Sequence, residues 1–302
     1  MHLPPIRQLQ YLVALREHLH FRHAAQALNV TQSTLSTGIR ELEKSLGITL
    51  VERTNKSVAF TDAGEKIADR ARYVIMQEED LVAEARSFSN PLALPFKLGA
   101  IHTIAPYLVG NYAYQLQQVY KGLQLYIREN TTANLIEELI DNRLDLALLA
   151  LPYDVGRVAT RIVYREGFHL AFSSNSRLID PDSPPDFDDL PDESLLLLDD
   201  GHCLRDHALA GCRLKNHKKI HTFGANSLQM LIQMVEYDLG VTLIPDMALG
   251  LLKNTGIASV RLPIDRYYRD IGFAWRKGHS REALLMDFMA LLEQPGSSVE
   301  TD

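Results

Sequence analysis

The feature that most constrains this chain is one long amphipathic run from Asp62 to Phe88. Ile67, Val74, Leu81 and Phe88 recur every seven residues, Ala71 and Ala85 follow two of them by four, and Glu78 interrupts the pattern. Thr61 stands where an N-cap belongs, so the run predicts a helix of roughly 40 Å. Such a helix can lie as an amphipathic rod on its own domain. Its length and the lack of neighbouring elements favour a seam for a second copy of the chain. It divides the sequence into a small head and a larger body, and "SNPLALP" (Ser89–Pro95) reads as the hinge between them.

The two parts differ in charge. Residues 1–75 hold ten Lys/Arg and seven Asp/Glu, a balance of +3, whereas the remaining residues hold 21 and 31, a balance of −10. A net charge of −7 argues against indiscriminate coating of nucleic acid, but a basic head on an acidic body suits a small DNA-binding module. Hydrophobic content of 46% and charged content of 23% are those of an ordinary globular protein. No run of eighteen apolar residues exists, so no membrane span is expected. "MHLPPIRQLQYLVALREHLHF" lacks the features of a signal peptide, so a cytoplasmic protein is expected.

In the head, Leu9, Leu12, Val13 and Leu15 have helical spacing, and a short helix with Ala24, Ala25 and Leu28 inward follows. Thr31 is a good N-cap for a third helix carrying Leu35, Ile39, Leu42 and Leu46, which Gly47 ends. Two short helices joined by a tight turn make a helix-turn-helix over about Phe21 to Arg40. Gln32, Ser33, Thr34, Ser36 and Arg40 offer hydrogen-bonding groups and a cation to base edges and phosphates of double-stranded DNA. "TLVERTNKSVAF" (Thr49–Phe60) alternates like a hairpin, and Arg53 and Lys56 near its tip suit a wing that grips the neighbouring backbone. A solvated helical surface is the plainer reading of the helices alone.

"RHAAQALNVTQSTLSTGIRELEKSLGITLVERTNKSVAFTDAGE" resembles the winged helix-turn-helix of LysR-type transcriptional regulators. The paired alanines, T-Q-x-x-L-S, L-E-x-x-L-G-x-x-L and the closing T-x-A-G carry the likeness; Ser33 departs from a frequent proline. From Phe96 on, strands such as "FKLGA", "DLALLAL", "FHLAF", "SLLLL" and "GVTLIP" alternate with helical patterns at Ile104–Val119, Asn134–Asn142 and Leu228–Glu236. "DIGFAW" and a helix over Arg281–Leu292 close the chain. That alternation predicts doubly wound α/β sheets. The resemblance implies two lobes like those of periplasmic binding proteins, crossed near Arg165 and Arg269. The expected domains are 1–61 (winged helix-turn-helix), 62–90 (linker helix) and 91–302 (regulatory). Lobe I would take about 91–165 and 269–302, and lobe II about 166–268.

The only two cysteines lie in "DDGHCLRDHALAGC", nine positions apart. Three readings stand side by side. In the first, Cys203 and Cys212 are inert core thiols, as buried cysteines commonly are. In the second, they join His202, His207, His217 and His221 in a metal site, although no CxxC pair is present. In the third, they form a thiol switch: Cys203 falls in the first turn of a helix, where unpaired N–H groups favour a thiolate, with Arg205 and His202 adding positive charge and Asp199 and Asp200 opposing it. Were the segment one helix, the two α-carbons would be about 13 Å apart, beyond the roughly 4.4–6.8 Å of a disulfide. Pairing would require unwinding, which Gly211 and His207-Ala208 make easier.

"LLLLDDGHCLRDHALAGC" and "GAIHTIAPYLVG" also resemble the redox segment and facing turn of peroxide-sensing members of that family. The resemblance implies Cys203 as peroxidatic thiol and Cys212 as resolving thiol. Thr103 and Thr132 would bind hydrogen peroxide, with Thr131 the less favoured neighbour. His202 and Asp206 would flank the thiol, and Arg269, rather than nearby Arg266, would supply a cation. It also implies a homodimer assembling to a homotetramer, contact with RNA polymerase, a thioredoxin- or glutaredoxin-type reductant, activation of antioxidant genes and no enzymatic turnover. No cofactor or metal is expected. The alternative is a regulator that answers a small metabolite between the lobes. The basic stretch "RLKNHKK" (Arg213–Lys219) departs from the pattern.

Overall fold

The computed structural model describes residues 3–53, 58–87, 92, 94–156, 158–176, 179, 187, 190–212 and 217–293. It divides into two compact units, residues 1–89 and 90–302.

The first unit is a helical cluster with a small wing. α1 (Ile6–His18), α2 (Phe21–Ala27) and α3 (Gln32–Leu46) bury Leu12, Leu15, Ala24, Leu35, Ile39 and Leu42 in one core. Thr31 caps α3 as its sequence predicts, its Oγ1 accepting from the Thr34 N–H at 3.1 Å, and Gly47 follows with a φ of 70°. Leu46, the last residue of α3, differs from the expectation: it is exposed, although its spacing keeps it on the face of Leu35. β1 (Val51–Arg53) and β2 (Val58–Phe60) pair antiparallel as the wing. Glu43 of α3 pins its base, Oε1 accepting from the N–H groups of Leu50 and Val51 at 2.9 and 3.1 Å.

α4 (Asp62–Ser87) is the long helix. The T-x-A-G motif has a physical reason here. Thr61 Oγ1 donates to the Thr49 carbonyl and accepts from the Gly64 N–H, both at 2.9 Å. A Cβ on Gly64 would stand 2.0 Å from the Leu50 carbonyl oxygen, so only glycine lets the helix start against the wing. Arg16 then pairs with Glu65 (2.7 Å) and with Asp69, fixing α1 on α4. Ala71 is buried within the unit, whereas Val74 and Leu81 of the seven-residue seam are exposed. Phe88 lies outside the described residues.

The second unit is mixed α/β. Its strands are β3 (Phe96–Ile101), β4 (Leu125–Asn130), β5 (Leu146–Leu151), β6 (Val158–Ser173), β7 (Leu195–Leu198), β8 (Ile220–Ala225), β9 (Val241–Pro245), β10 (Ile257–Arg261) and β11 (Tyr268–Arg276). The order is β4-β3-β5-β11-β6-β9-β7-β8, with β10 also on β6. β3 runs parallel to β4 and β5, and β7 runs parallel to β8 and β9, each set requiring crossover helices. Those helices are α5 (Ala105–Val119), α6 (Thr132–Ile140), α7 (Cys203–Cys212) and α8 (Leu228–Glu236), and α9 (Glu282–Leu292) closes the unit. α6 starts two residues earlier than the apolar spacing suggests, which puts Thr132 in its first turn.

Two hydrophobic cores result, one around Phe96, Leu148, Phe273 and Phe288 and one around Phe168, Leu196, Ile232 and Leu243. β6 and β11 pass between them as an antiparallel pair, in which Glu166 faces Arg269 and Arg165 faces Asp270. Among the described residues, no helix is long and apolar enough to cross a membrane.

Near the start of β3, Asp145 accepts from the Lys97 N–H at 2.7 Å, from Arg281 at 2.6 Å and faces His279 at 2.9 Å. Arg281 also donates to the Leu94 and Pro95 carbonyls at 3.1 Å. Burial alone would raise the Asp145 carboxyl, but the His279 hydrogen bond, the charges of Arg281 and His279 and the Lys97 amide outweigh it and hold the carboxyl below its usual range. A carboxylate lowered by folding contributes stability above its unfolded pKa of about 4 and loses that contribution as pH falls through the folded value. The urea midpoint of this unit should therefore fall as pH drops below about 4, and Asp145→Asn should reduce that fall. An unchanged pH slope in the variant would overturn this assignment.

Candidate functional site

The turn Asp199-Asp200-Gly201 carries the chain from β7 to α7. Gly201 has a φ of 92°, and that left-handed residue aims the next segment back at the sheet. His202 follows and Cys203 is the first residue of α7. Cys203 is 4% exposed and packs in the first core, whereas its neighbour Leu204 packs in the second. Adjacent residues thus plug into different cores.

Facing Cys203 is the turn from β3 to α5. Ile101, His102 and Thr103 from that turn, Thr131 and Thr132 from the start of α6, and Gly201 to Leu204 line one small pocket. Its volume is ≈ 10 Å³, about what a single water-sized molecule requires. The His102 and His202 rings meet edge to face across it, with centroids 5.2 Å apart.

Behind the pocket lies Arg269, fully buried on β11. Its Nε donates to Glu166 Oε1 at 2.6 Å, Nη1 to Thr103 Oγ1 at 2.8 Å, and Nη2 to the Thr103 carbonyl at 3.1 Å. Thr103 is thereby fixed at both its hydroxyl and its carbonyl. Thr132 is 1% exposed, and among the described residues its hydroxyl makes no hydrogen bond of ordinary geometry. It lies close enough to Cys203 to favour the thiolate.

Burial is the largest influence on the Cys203 thiol and pushes its pKa up. The Arg269 charge and the Thr132 hydroxyl oppose the rise, while Asp206 adds to it. The helix-terminus argument for a ready thiolate is therefore overridden by desolvation. Burial also lowers His202, as does the neighbouring His102, so His202 favours the neutral ring. His207, one turn into α7, is lowered by burial and by Arg269.

In the first unit, Gln32, Ser33, Thr34 and Arg40 are exposed and Ser36 half-buried on α3. Arg40 Nη2 donates to Thr37 Oγ1 at 3.3 Å, holding the cation along the helix surface. Lys56 and the side chains of Arg53 and Cys212 lie outside the described residues.

Residues 6–65 match the family described as bacterial regulatory helix-turn-helix protein, lysR family, and residues 90–295 match the LysR substrate binding domain. The chain belongs to the LysR family. It is 39% identical over 248 residues to the HTH-type transcriptional regulator EstR of Acinetobacter baylyi, covering 82% of each chain. It is 37% identical over 294 residues to a probable hydrogen peroxide-inducible genes activator of Streptomyces viridosporus, covering 96% of this chain and 94% of that one. A cysteine-to-aspartate variant of full-length OxyR from Pseudomonas aeruginosa shares its structure with a TM-score of 0.75 at 31% identity, over 99% of this chain and 97% of that one.

In this LysR-family chain, Thr103, Thr132, His202 and Cys203 line one pocket and Arg269 stands behind it. Asp206 is exposed on α7. Arg205 does not serve the thiol as expected, nor does it pair with Asp206. Its Nε meets Asp200 at 2.9 Å and its Nη1 donates to the Leu198 carbonyl, so its charge is taken up at the end of β7. Among the described residues, no three His, Cys, Asp or Glu side chains converge as a metal site would require. Sequence reasoning passed over His102, Glu166 and Met247. His102 adjoins Thr103, and Glu166 is legible only once β6 and β11 are set in register.

Proposed function

We propose that this chain is a DNA-binding transcription regulator that senses hydrogen peroxide through Cys203. The observation that carries the reading is the pocket of one-water size that joins a buried thiol to two buried threonines, with a guanidinium bonded to one of them. A metabolite of ordinary size is far too large for it, and hydrogen peroxide is among the few effectors near that size. The names of the relatives, a hydrogen peroxide-inducible genes activator and OxyR, support it.

In this reading Thr103 and Thr132 hold peroxide by their hydroxyls. The Cys203 thiolate attacks one peroxide oxygen, the O–O bond breaks, and the leaving hydroxide takes a proton to become water. His202 and Asp206 flank the thiol during that transfer. The Cys212 thiolate then attacks the sulfenic sulfur and expels the second oxygen as water. Two thiols have given two electrons, and one peroxide has become two waters.

α7 is one unbroken helix from Cys203 to Cys212, so disulfide formation unwinds it. That change in the regulatory part alters how two-fold related heads sit on promoter DNA. Gln32, Ser33, Thr34, Ser36 and Arg40 of α3, with Arg53 and Lys56 of the wing, contact the duplex. The exposed seam of α4 pairs two copies, and two dimers make a tetramer that activates antioxidant genes with RNA polymerase. A thioredoxin- or glutaredoxin-type reductant resets the thiols.

Peptide-level mass spectrometry before and after a brief stoichiometric peroxide pulse tests the reading. A Cys203–Cys212 crosslink is expected. Two free thiols after the pulse would overturn it and favour a regulator that answers a metabolite between the lobes.

A further inference from the structure

Arg269 has a partner that the sensing chemistry does not use. Glu166, 3% exposed, accepts from Arg269 Nε through one carboxylate oxygen at 2.6 Å and from the Met247 N–H through the other at 3.1 Å. Met247 is the second residue of the turn after β9, and its sulfur lies 3.5 Å from Arg269 Nη2. The carboxylate therefore anchors the guanidinium from the strand directly opposite it and ties it to the Met247 backbone, whose side chain packs against the first core.

The same cation reaches the pocket through Thr103, whose hydroxyl it holds at 2.8 Å and which lines that pocket with Cys203, and its charge favours the thiolate. Around that thiol stand Arg269 from β11, Asp206 and His207 from α7, His202 just before α7, and His102 from the turn after β3. A buried cation with a carboxylate at 2.6 Å acts on a third group as a dipole, whose field falls off faster than that of a lone charge. A thiolate at Cys203 must share the guanidinium with a carboxylate that already holds it.

We infer that Glu166 is a positioning residue that restrains Cys203: it holds Arg269 from the opposite strand and damps the charge that the guanidinium presents to the pocket. The biological meaning of this restraint rests on the peroxide-sensing reading. Its chemical content does not.

The test is the pH profile of Cys203 alkylation by iodoacetamide in the full-length reduced protein, with peptide mapping to separate it from Cys212. Glu166→Gln keeps the side chain's shape and removes its charge. Its profile should shift to lower pH, raising the neutral-pH rate about three- to tenfold, with the high-pH plateau unchanged. A folded Glu166→Gln protein with an unmoved or higher midpoint would overturn the inference.

Removing one member of a buried ion pair can also prevent folding. The double variant Glu166→Gln/Arg269→Gln buries a neutral pair and decides the matter in that case. If Glu166 damps Arg269, the double variant should alkylate at neutral pH no faster than the wild type and no more than about tenfold more slowly. A larger fall would show that Arg269 acts undamped. A double variant as fast as a fast Glu166→Gln single would show that the pocket had merely opened, and either result sinks the proposal. Wild-type protein that alkylates normally yet ignores peroxide would remove the sensing reading and leave the role of Glu166 standing.

Discussion

Replacing Cys203 with serine should leave the promoter footprint identical before and after a peroxide pulse. A serine hydroxyl keeps the size and burial of the side chain but offers no thiolate to attack the O–O bond. Packing should survive, because Cys203 occupies a slot in the first core that a hydroxyl fills with little change in volume. The expected loss is therefore of response and not of fold, and circular dichroism separates the two. Cys212→Ser should divide the pathway differently, allowing the sulfenic acid to form at Cys203 and leaving it there for capture by a dimedone-type probe. A peroxide-dependent footprint that persists in Cys203→Ser would place the sensor elsewhere in the chain.

Arg269→Met should be the most destabilising single change at the site. Methionine fills much of the same volume, so the loss is electrostatic. Glu166 would be left buried without its cation, and the Thr103 hydroxyl and carbonyl would lose their donors together. Breaking a buried pair by removing one partner costs about 3–5 kcal/mol. For a unit of this size that corresponds to a Tm lower by roughly 6–20 °C. Thermal unfolding of the regulatory unit measures it. A Tm within about 2 °C of the wild type would show that buried Glu166 does not depend on Arg269 as its counter-ion.

What the sequence revealed divides by range. The first unit was legible because its signals are local: Thr31 and Thr61 cap helices, Gly47 ends one, and Gly64 permits a close approach to Leu50. The alternation of strand and helix in the second unit was likewise local. β4 escaped notice because it lies at the sheet edge with four exposed residues, so its pattern lacks the apolar run of β5. The long helix was plain, but no periodicity could tell that Ala71 would be buried while Val74 and Leu81 faced outward.

The site is a long-range object. Thr103, Thr132, Cys203 and Arg269 come from four separate elements, and only the family resemblance singled out the threonines. Local reasoning misled where tertiary packing won. Position at a helix start favours a thiolate, yet burial of Cys203 outweighs it. Arg205 is near Cys203 in sequence, yet Asp200 is nearer in space. Glu166 carries no motif, and its meaning comes from standing opposite Arg269 across two strands.

The unbroken helix from Cys203 to Cys212 has a thermodynamic consequence for how such a sensor returns to rest. Under the proposed chemistry the reduced form keeps that helix and the oxidised form gives it up. Whatever free energy holds the helix and its two core contacts is subtracted from the stability of the disulfide. For a two-electron couple, each 1.4 kcal/mol so withheld lifts the reduction potential by about 30 mV. The segment thus acts as a spring loaded against its own oxidation. Its stiffness sets how readily a cellular reductant switches the signal off.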